Sequence, residues 1–207
     1  MANGKTPKKS AILKTISDNL QPYCLRCKIG VSGAAETGHC AIDAVEKAER
    51  VGRAIAKAGL VLVTGATTGI PYWAAKGAKE SGGIVIGLSP AASEAAHLKT
   101  YHLPVDYQDI IIYTGFEYAG RNLLLTRSVD AVIVICGRIG TLNEFTIAFE
   151  DQKPIGVLLG SGGTADLIEK IVETSHRGAG TIVYSKDPEE LVTKLAAVVA
   201  RDKMKNN

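Results

Sequence analysis

The chain has 207 residues, 46% of them apolar and 22% charged, and carries a formal net charge of +3. This composition supports one packed domain and excludes general disorder, a collagen-like repeat and a low-complexity chain. The charge is too mild to argue for a nucleic-acid partner, and no run approaches the ~20 apolar residues of a membrane span. The basic N-terminus is followed by no apolar stretch of signal-peptide type. Four cysteines do not make a disulfide scaffold, so a reducing cytoplasm is the expected location.

Residues 1–27 read as a polar, Lys-rich extension, with a short helix over Ser10 to Leu20 stopped by Pro22. From Lys28 onward, strand-like and helical runs alternate. Lys28 to Ser32 is a strand ending in Gly33. Ala41 to Ala58 is a helix with apolar residues three and four apart, stopped by Gly59. Leu60 to Val63 is an apolar strand, Ile70 to Ser81 a helix with Pro71 in its first turn, and Ile84 to Leu88 the third strand. Residues 89–108 are irregular. A strand over Ile110 to Tyr113, a helix over Glu117 to Ser128 and a strand over Ala131 to Ile135 come next. Then follow a helix over Leu142 to Phe149, a strand over Ile155 to Leu159 and a helix over Thr164 to Ser175. Thr181 to Tyr184 is a last short strand. Pro188 to Arg201 is the closing helix, with Asp187 as its N-cap, and 202–207 a polar tail.

Strands that are apolar on both faces need cover on both faces. With helices between them, they imply an α/β fold: a Rossmann-like, doubly wound sandwich on a mainly parallel sheet of six or seven strands, spanning residues 28–201. In such sheets ligands bind beyond the carboxyl ends of the strands. Three strand-end loops are rich in small residues: Ser32 to Gly38 (with Gly33 and Ala34), Thr64 to Gly69 (with Gly65, Thr67, Thr68 and Gly69), and Gly137-Arg138-Ile139-Gly140-Thr141. Glycine lets backbone approach a ligand, and a helix N-terminus offers free N–H groups, so together they read as phosphate cradles. Tight strand-to-helix turns need glycine anyway, which is the plainer alternative for any one loop. Neither Gly-x-Gly-x-x-Gly in the first loop nor a P-loop motif is present, which favours a mononucleotide or sugar phosphate over NAD.

Two ionisable groups stand out. Arg121 falls early in a helix after two glycines and reads as a surface cation or a ligand contact. Glu144, placed in the first turn after Gly140-Thr141, reads as a helix-dipole partner or a site carboxylate. Arg138, inside a glycine turn, faces either a phosphate or solvent.

Arg121-Asn122, Asp130-Ala131 with its apolar strand, and Cys136-Gly137-Arg138-Ile139-Gly140-Thr141-Leu142-Asn143-Glu144 resemble the LOG ("lonely guy") family, long labelled lysine decarboxylases. The family carries an Arg-Lys pair and, about fifteen residues later, Pro-Gly-Gly-x-Gly-Thr-x-x-Glu. Here Cys136 stands for Pro, Arg138 for the second Gly and Asn122 for Lys. Ala66 replaces a glycine in the earlier loop, and Ala119 replaces a His. The resemblance implies a nucleotide-binding fold and hydrolysis of the N-glycosidic bond of a nucleoside 5′-monophosphate. It puts Arg121 and Glu144 in the catalytic positions and implies a homodimer. A molybdenum-cofactor carrier has a closely similar fold, so a non-catalytic binder or carrier of a nucleotide or phosphorylated cofactor is the alternative. No cofactor is required beyond a bound nucleotide or phosphate, and no lysine is marked for decarboxylase chemistry.

Cys24, Cys27, His39 and Cys40 could supply four zinc ligands, but adjacent His39-Cys40 does not match finger spacings, and free thiols near the surface are the preferred reading, with a redox role as a further alternative and no metal assigned. Cys136 reads as a small buried apolar residue. His97 and His102 read as solvated, with a ligand-closing loop as the alternative.

Overall fold

The computed structural model describes residues 25–206, so the Ser10 to Leu20 helix and Cys24 lie outside the described residues. Seven strands make one sheet: β1 (Lys28–Gly33), β2 (Val61–Thr64), β3 (Ile84–Ser89), β4 (Ile110–Tyr113), β5 (Ala131–Ile135), β6 (Ile155–Leu158) and β7 (Ile182–Ser185). They run parallel in the order β4-β3-β2-β1-β5-β6-β7. The helices are α1 (Ala44–Lys57), α2 (Ile70–Glu80), α3 (Glu94–Lys99), α4 (Glu117–Ser128), α5 (Ile139–Glu150), α6 (Ile168–Ser175) and α7 (Pro188–Asn206).

The sheet separates two apolar cores, and strand parity decides which residue joins which. Along β5, Ala131, Ile133 and Ile135 pack under α1, α2 and α7, whereas Val132 and Val134 pack under α4 and α5. On β1, Ile29 and Val31 join the first face. Gly30 therefore faces the second, where a Cβ would sit 3.2 Å from Val129 Cγ2. Ser32, two residues on, shares the side of Gly30. The β1 side chain nearest the strand's carboxyl end that faces α4 and α5 is thus polar.

The first helix buries Ala44, Ala48, Val51 and Ile55 on one stripe and ends where Gly59 takes φ +70°. Its neighbour α2 crosses so closely that a Cβ on Gly52 would overlap the Ala74 carbonyl. Substitution there by valine would push the two helices apart.

Several boundaries differ from expectation. α5 begins at Ile139, three residues before Leu142, because Cys136 (φ +52°) and Gly137 (φ +102°) complete the turn earlier. The irregular stretch after β3 contains α3, capped by Ser93, whose Oγ accepts from Ala96 N at 3.2 Å. The expected Thr164 to Ser175 helix divides into a 3₁₀ turn at Gly163–Leu167 and α6. α7 continues to Asn206 through most of the segment read as a tail, and Lys203 Nζ reaches Asp130 at 3.1 Å. Asp187 caps α7 as expected, its Oδ1 accepting from Glu190 N at 2.8 Å.

Candidate active site

Strand order reverses at β1, with β2 on one side and β5 on the other. A crevice opens at such a switch point beyond the strands' carboxyl ends. A cavity of about 500 Å³ lies there, lined by the loops after β1, β2 and β5 and by α4 and α5.

Glu144 stands in it, in the second turn of α5 and 6% exposed. That position is too deep in the helix for a dipole partner alone, since the dipole's influence fades within the first turn. Ser32 Oγ donates to Glu144 Oε2. The Asn122 amide, oriented with its nitrogen toward the acceptors around it, donates to Glu144 Oε1 at 3.0 Å and to the Tyr118 carbonyl at 2.9 Å. Burial pushes the Glu144 carboxyl above its ordinary range, and the Arg121 charge and the Ser32 hydroxyl pull partly back.

Arg121 enters the pocket from α4 and is also 6% exposed. Its Nη1 lies against Gly65, where any Cβ would overlap it, and 3.5 Å from the Leu88 carbonyl. Its guanidinium carbon stands 5.9 Å from the Tyr118 ring centroid. Burial lowers its proton affinity and Glu144 raises it, but an arginine remains cationic. Its Nε is buried without a hydrogen-bond partner. A buried cationic donor with nothing to bond is costly unless a ligand acceptor completes it.

The remaining residues singled out in the sequence divide by role. Gly33, Ala34, Gly65, Thr67, Thr68, Gly140 and Thr141 line the cavity. Gly69 and Gly137 do not; each takes positive φ and shapes a turn behind the lining, Gly69 against the Ala34 and Ala35 carbonyls and Gly137 against Thr141. Thr68 Oγ1 is spent on the Ala35 carbonyl at 3.0 Å. Arg138 lines the rim, ion-paired with Glu36 at 3.0 Å rather than free. Ser32, Tyr118 and the stretch Tyr101, His102 and Leu103 also line the cavity; Ser32 belongs to the first small-residue loop and His102 to the segment whose alternative reading is a ligand-closing loop, whereas sequence reasoning missed Tyr101, Leu103 and Tyr118 as site residues.

A family model described as the SLOG cluster4 family matches residues 26–192. The chain belongs to the SLOG cluster4 family. An uncharacterized protein of Archaeoglobus fulgidus is 36% identical over 131 residues, covering 63% of this chain and 79% of that one. Among solved structures, a molybdenum cofactor binding protein from Rippkaea orientalis superposes with a TM-score of 0.69 at 28% identity, over 84% of this chain and 98% of that one. A Moco carrier protein from Chlamydomonas reinhardtii does so with a TM-score of 0.70 at 28% identity, over 86% and 99%. The LOG-like, nucleotide-binding type of fold expected from the Arg121 to Glu144 motif is therefore the fold of this SLOG protein.

Its cysteines and one histidine correct the sequence reading. Cys40 and Cys136 form a disulfide, Cα atoms 5.6 Å apart, so neither is a free thiol and Cys136 is not simply an apolar filler. The two follow neighbouring strands at the same sheet edge, which brings residues distant in sequence together. Cys27 is a half-buried free thiol at the opening of β1, at the far end of that strand from His39 and Cys40, so among the described residues it does not join those two in a zinc grouping. His97 is buried, not solvated: it bonds Ser89 Oγ through Nδ1 at 2.8 Å and the Pro104 carbonyl through Nε2 at 3.1 Å. It braces the irregular stretch that carries His102 to the pocket. Among the described residues no helix is long and apolar enough to cross a membrane.

Proposed function

We propose that the pocket takes a nucleoside 5′-monophosphate and hydrolyses its N-glycosidic bond, giving free base and ribose 5-phosphate. The observation that carries this is a buried carboxylate, Glu144, held by two fixed donors beside the unpartnered Nε of Arg121. Phosphate fits against the N–H groups that open α5 and against the hydroxyls of Thr67 and Thr141. Arg121 supplies a charge-assisted bond to the ligand. Breaking the bond from ribose C1′ to the base nitrogen sends its electron pair to the base and leaves positive charge on the ribose. Ionised Glu144 stabilises that charge and orients water, which gives its oxygen to C1′ and a proton to the base or to Glu144.

A second reading is supported by the two molybdenum-cofactor-binding neighbours at 28% identity. In it the same pocket carries a phosphorylated cofactor without cutting it. Incubation with AMP, GMP and CMP separates the two. The hydrolase releases base, and Glu144→Gln lowers that rate by about 10²-fold or more, the scale of losing a charge-stabilising group. A carrier gives no product while the same ligands raise its melting temperature in a saturable way. Two copies of the chain are proposed to pair through α4, whose Leu123 and Leu124 are exposed.

A further inference from the structure

The Cys40–Cys136 bond joins two strand-end loops separated by 96 residues. One runs from Ala34 to Glu36, which line the pocket, on to Cys40; the other runs from Cys136 to the pocket residue Arg138. The Glu36–Arg138 ion pair ties the same two loops across the rim. A third loop meets both behind it: Ser161 Oγ accepts from Cys136 N at 2.8 Å, and the Ser161 carbonyl accepts from Ala41 N at 3.0 Å. Cys136 holds φ +52°, a conformation costly for a residue with a Cβ, so the turn that opens α5 depends on outside restraint.

The two sulfurs are unlike. Cys136 is fully buried, whereas Cys40 is half-buried and precedes the open chain leading to α1. His39 Nε2 stands 3.6 Å from Cys136 Sγ and 3.3 Å from the Gly137 carbonyl. Cys40 is therefore the more exposed of the two residues to an incoming thiolate, and the leaving sulfur is the one with an imidazole beside it, the arrangement that eases exchange.

We propose that Cys40 and Cys136 are a thiol–disulfide exchange site that latches the phosphate pocket, with dithiols as its reactant class. A dithiol's thiolate bonds to Cys40 Sγ. The Cys40–Cys136 bond breaks, and its electron pair goes to Cys136 Sγ, which takes a proton from His39 or water. The dithiol's second sulfur then displaces Cys40 as a thiol, and the dithiol leaves as a disulfide. Two electrons have passed to the protein. Reduction frees the loops after β1 and β5 and loosens the cradle; oxidation preorganises it. The effect on ligand rests on the proposed pocket, whereas the exchange chemistry does not.

The test uses the full chain with Cys24→Ser and Cys27→Ser, so that only this pair titrates. A chelator is present, because His39, Cys40 and Cys136 offer ligand atoms within 4.8 Å of one another. Dithiothreitol redox titration, read by alkylation and intact mass, is expected to convert the pair reversibly between disulfide and two thiols. AMP affinity by equilibrium dialysis is expected to fall roughly 5- to 100-fold on reduction, the ordinary range of coupling between sites. Saturating AMP then makes the disulfide harder to reduce by the same factor, about 30 mV for each tenfold. Cys40→Ser/Cys136→Ser matches the reduced protein and ignores dithiothreitol. His39→Gln slows reduction but leaves oxidised AMP affinity unchanged. A pair that does not reoxidise, or equal AMP affinity in both states, overturns the latch. Reversible titration with no AMP or phosphate binding in either state overturns the pocket and leaves the exchange site standing.

Discussion

A buried carboxylate keeps its charge only if donors are built around it, and Glu144 has Ser32 on one oxygen and Asn122 on the other. The resemblance replaces the family's Lys by Asn122. Here that residue orients the acid, so the substitution exchanges a charge for a hydrogen bond. Because burial raises the Glu144 pKa above the ordinary glutamate value, at pH between that value and the folded one the folded state holds a proton that the unfolded chain releases. Its stabilising contribution is complete below that ordinary value and is lost as pH rises through the folded one. Urea unfolding from pH 5 to 8 is therefore expected to show wild type losing stability relative to Glu144→Gln as pH increases. Ser32→Ala removes a group that pulls the pKa down. It should move the acid limb of AMP hydrolysis to higher pH and cost about 1–3 kcal/mol near neutrality by stranding Oε2. An acid limb unmoved in Ser32→Ala would contradict this account.

At the scale of the element, the strand-end loops act through close approach. Gly65 ends β2 directly against the Arg121 guanidinium, so glycine is needed there for space rather than for conformation. Gly65→Ala is expected to displace Nη1 and weaken AMP binding about 10- to 100-fold, the equivalent of a charge-assisted hydrogen bond. Because the group displaced is the tip of a flexible side chain, the melting temperature should stay within a few degrees of wild type; dialysis and calorimetry check both. Much of this was legible beforehand. The fully apolar β5, the small-residue loops and the spacing from Arg121 to Glu144 are local signals, and the seven strands and most of the helices followed from such signals, whereas α3 and the 3₁₀ turn at Gly163–Leu167 did not. Ser32 was legible as part of a ligand loop but not as the partner of Glu144, because that role depends on strand parity relative to a helix distant in sequence. Tyr101 and Leu103 were hidden in a stretch without periodicity, held in place by the buried His97. The disulfide was hidden because pairing β1 with β5 is what brings Cys40 to Cys136.

For the whole molecule, the surface left unpaired by the fold bears on assembly. The apolar run in α4 splits: Leu125 is fully buried in the core against β5, whereas Leu123 and Leu124 are each 38% exposed. Phe116, Tyr118 and Ile139, at the starts of α4 and α5, are exposed as well. An apolar residue alone on a surface is ordinary, but several on adjoining elements mark an association site. Tyr118 belongs to the pocket lining and to this exposed set together, so a second copy seated on α4 would also narrow the pocket mouth. Sedimentation equilibrium is expected to give twice the chain mass for wild type and the single-chain mass for Leu123→Glu/Leu124→Glu. Neither substituted residue lines the pocket, so the monomeric variant should keep its fold by circular dichroism. It should bind AMP more weakly, by several-fold, because Tyr118 would then face solvent instead of a partner. A wild-type chain that sediments as a monomer would leave the pocket complete within one copy, and a variant that remains a dimer would place the association surface elsewhere.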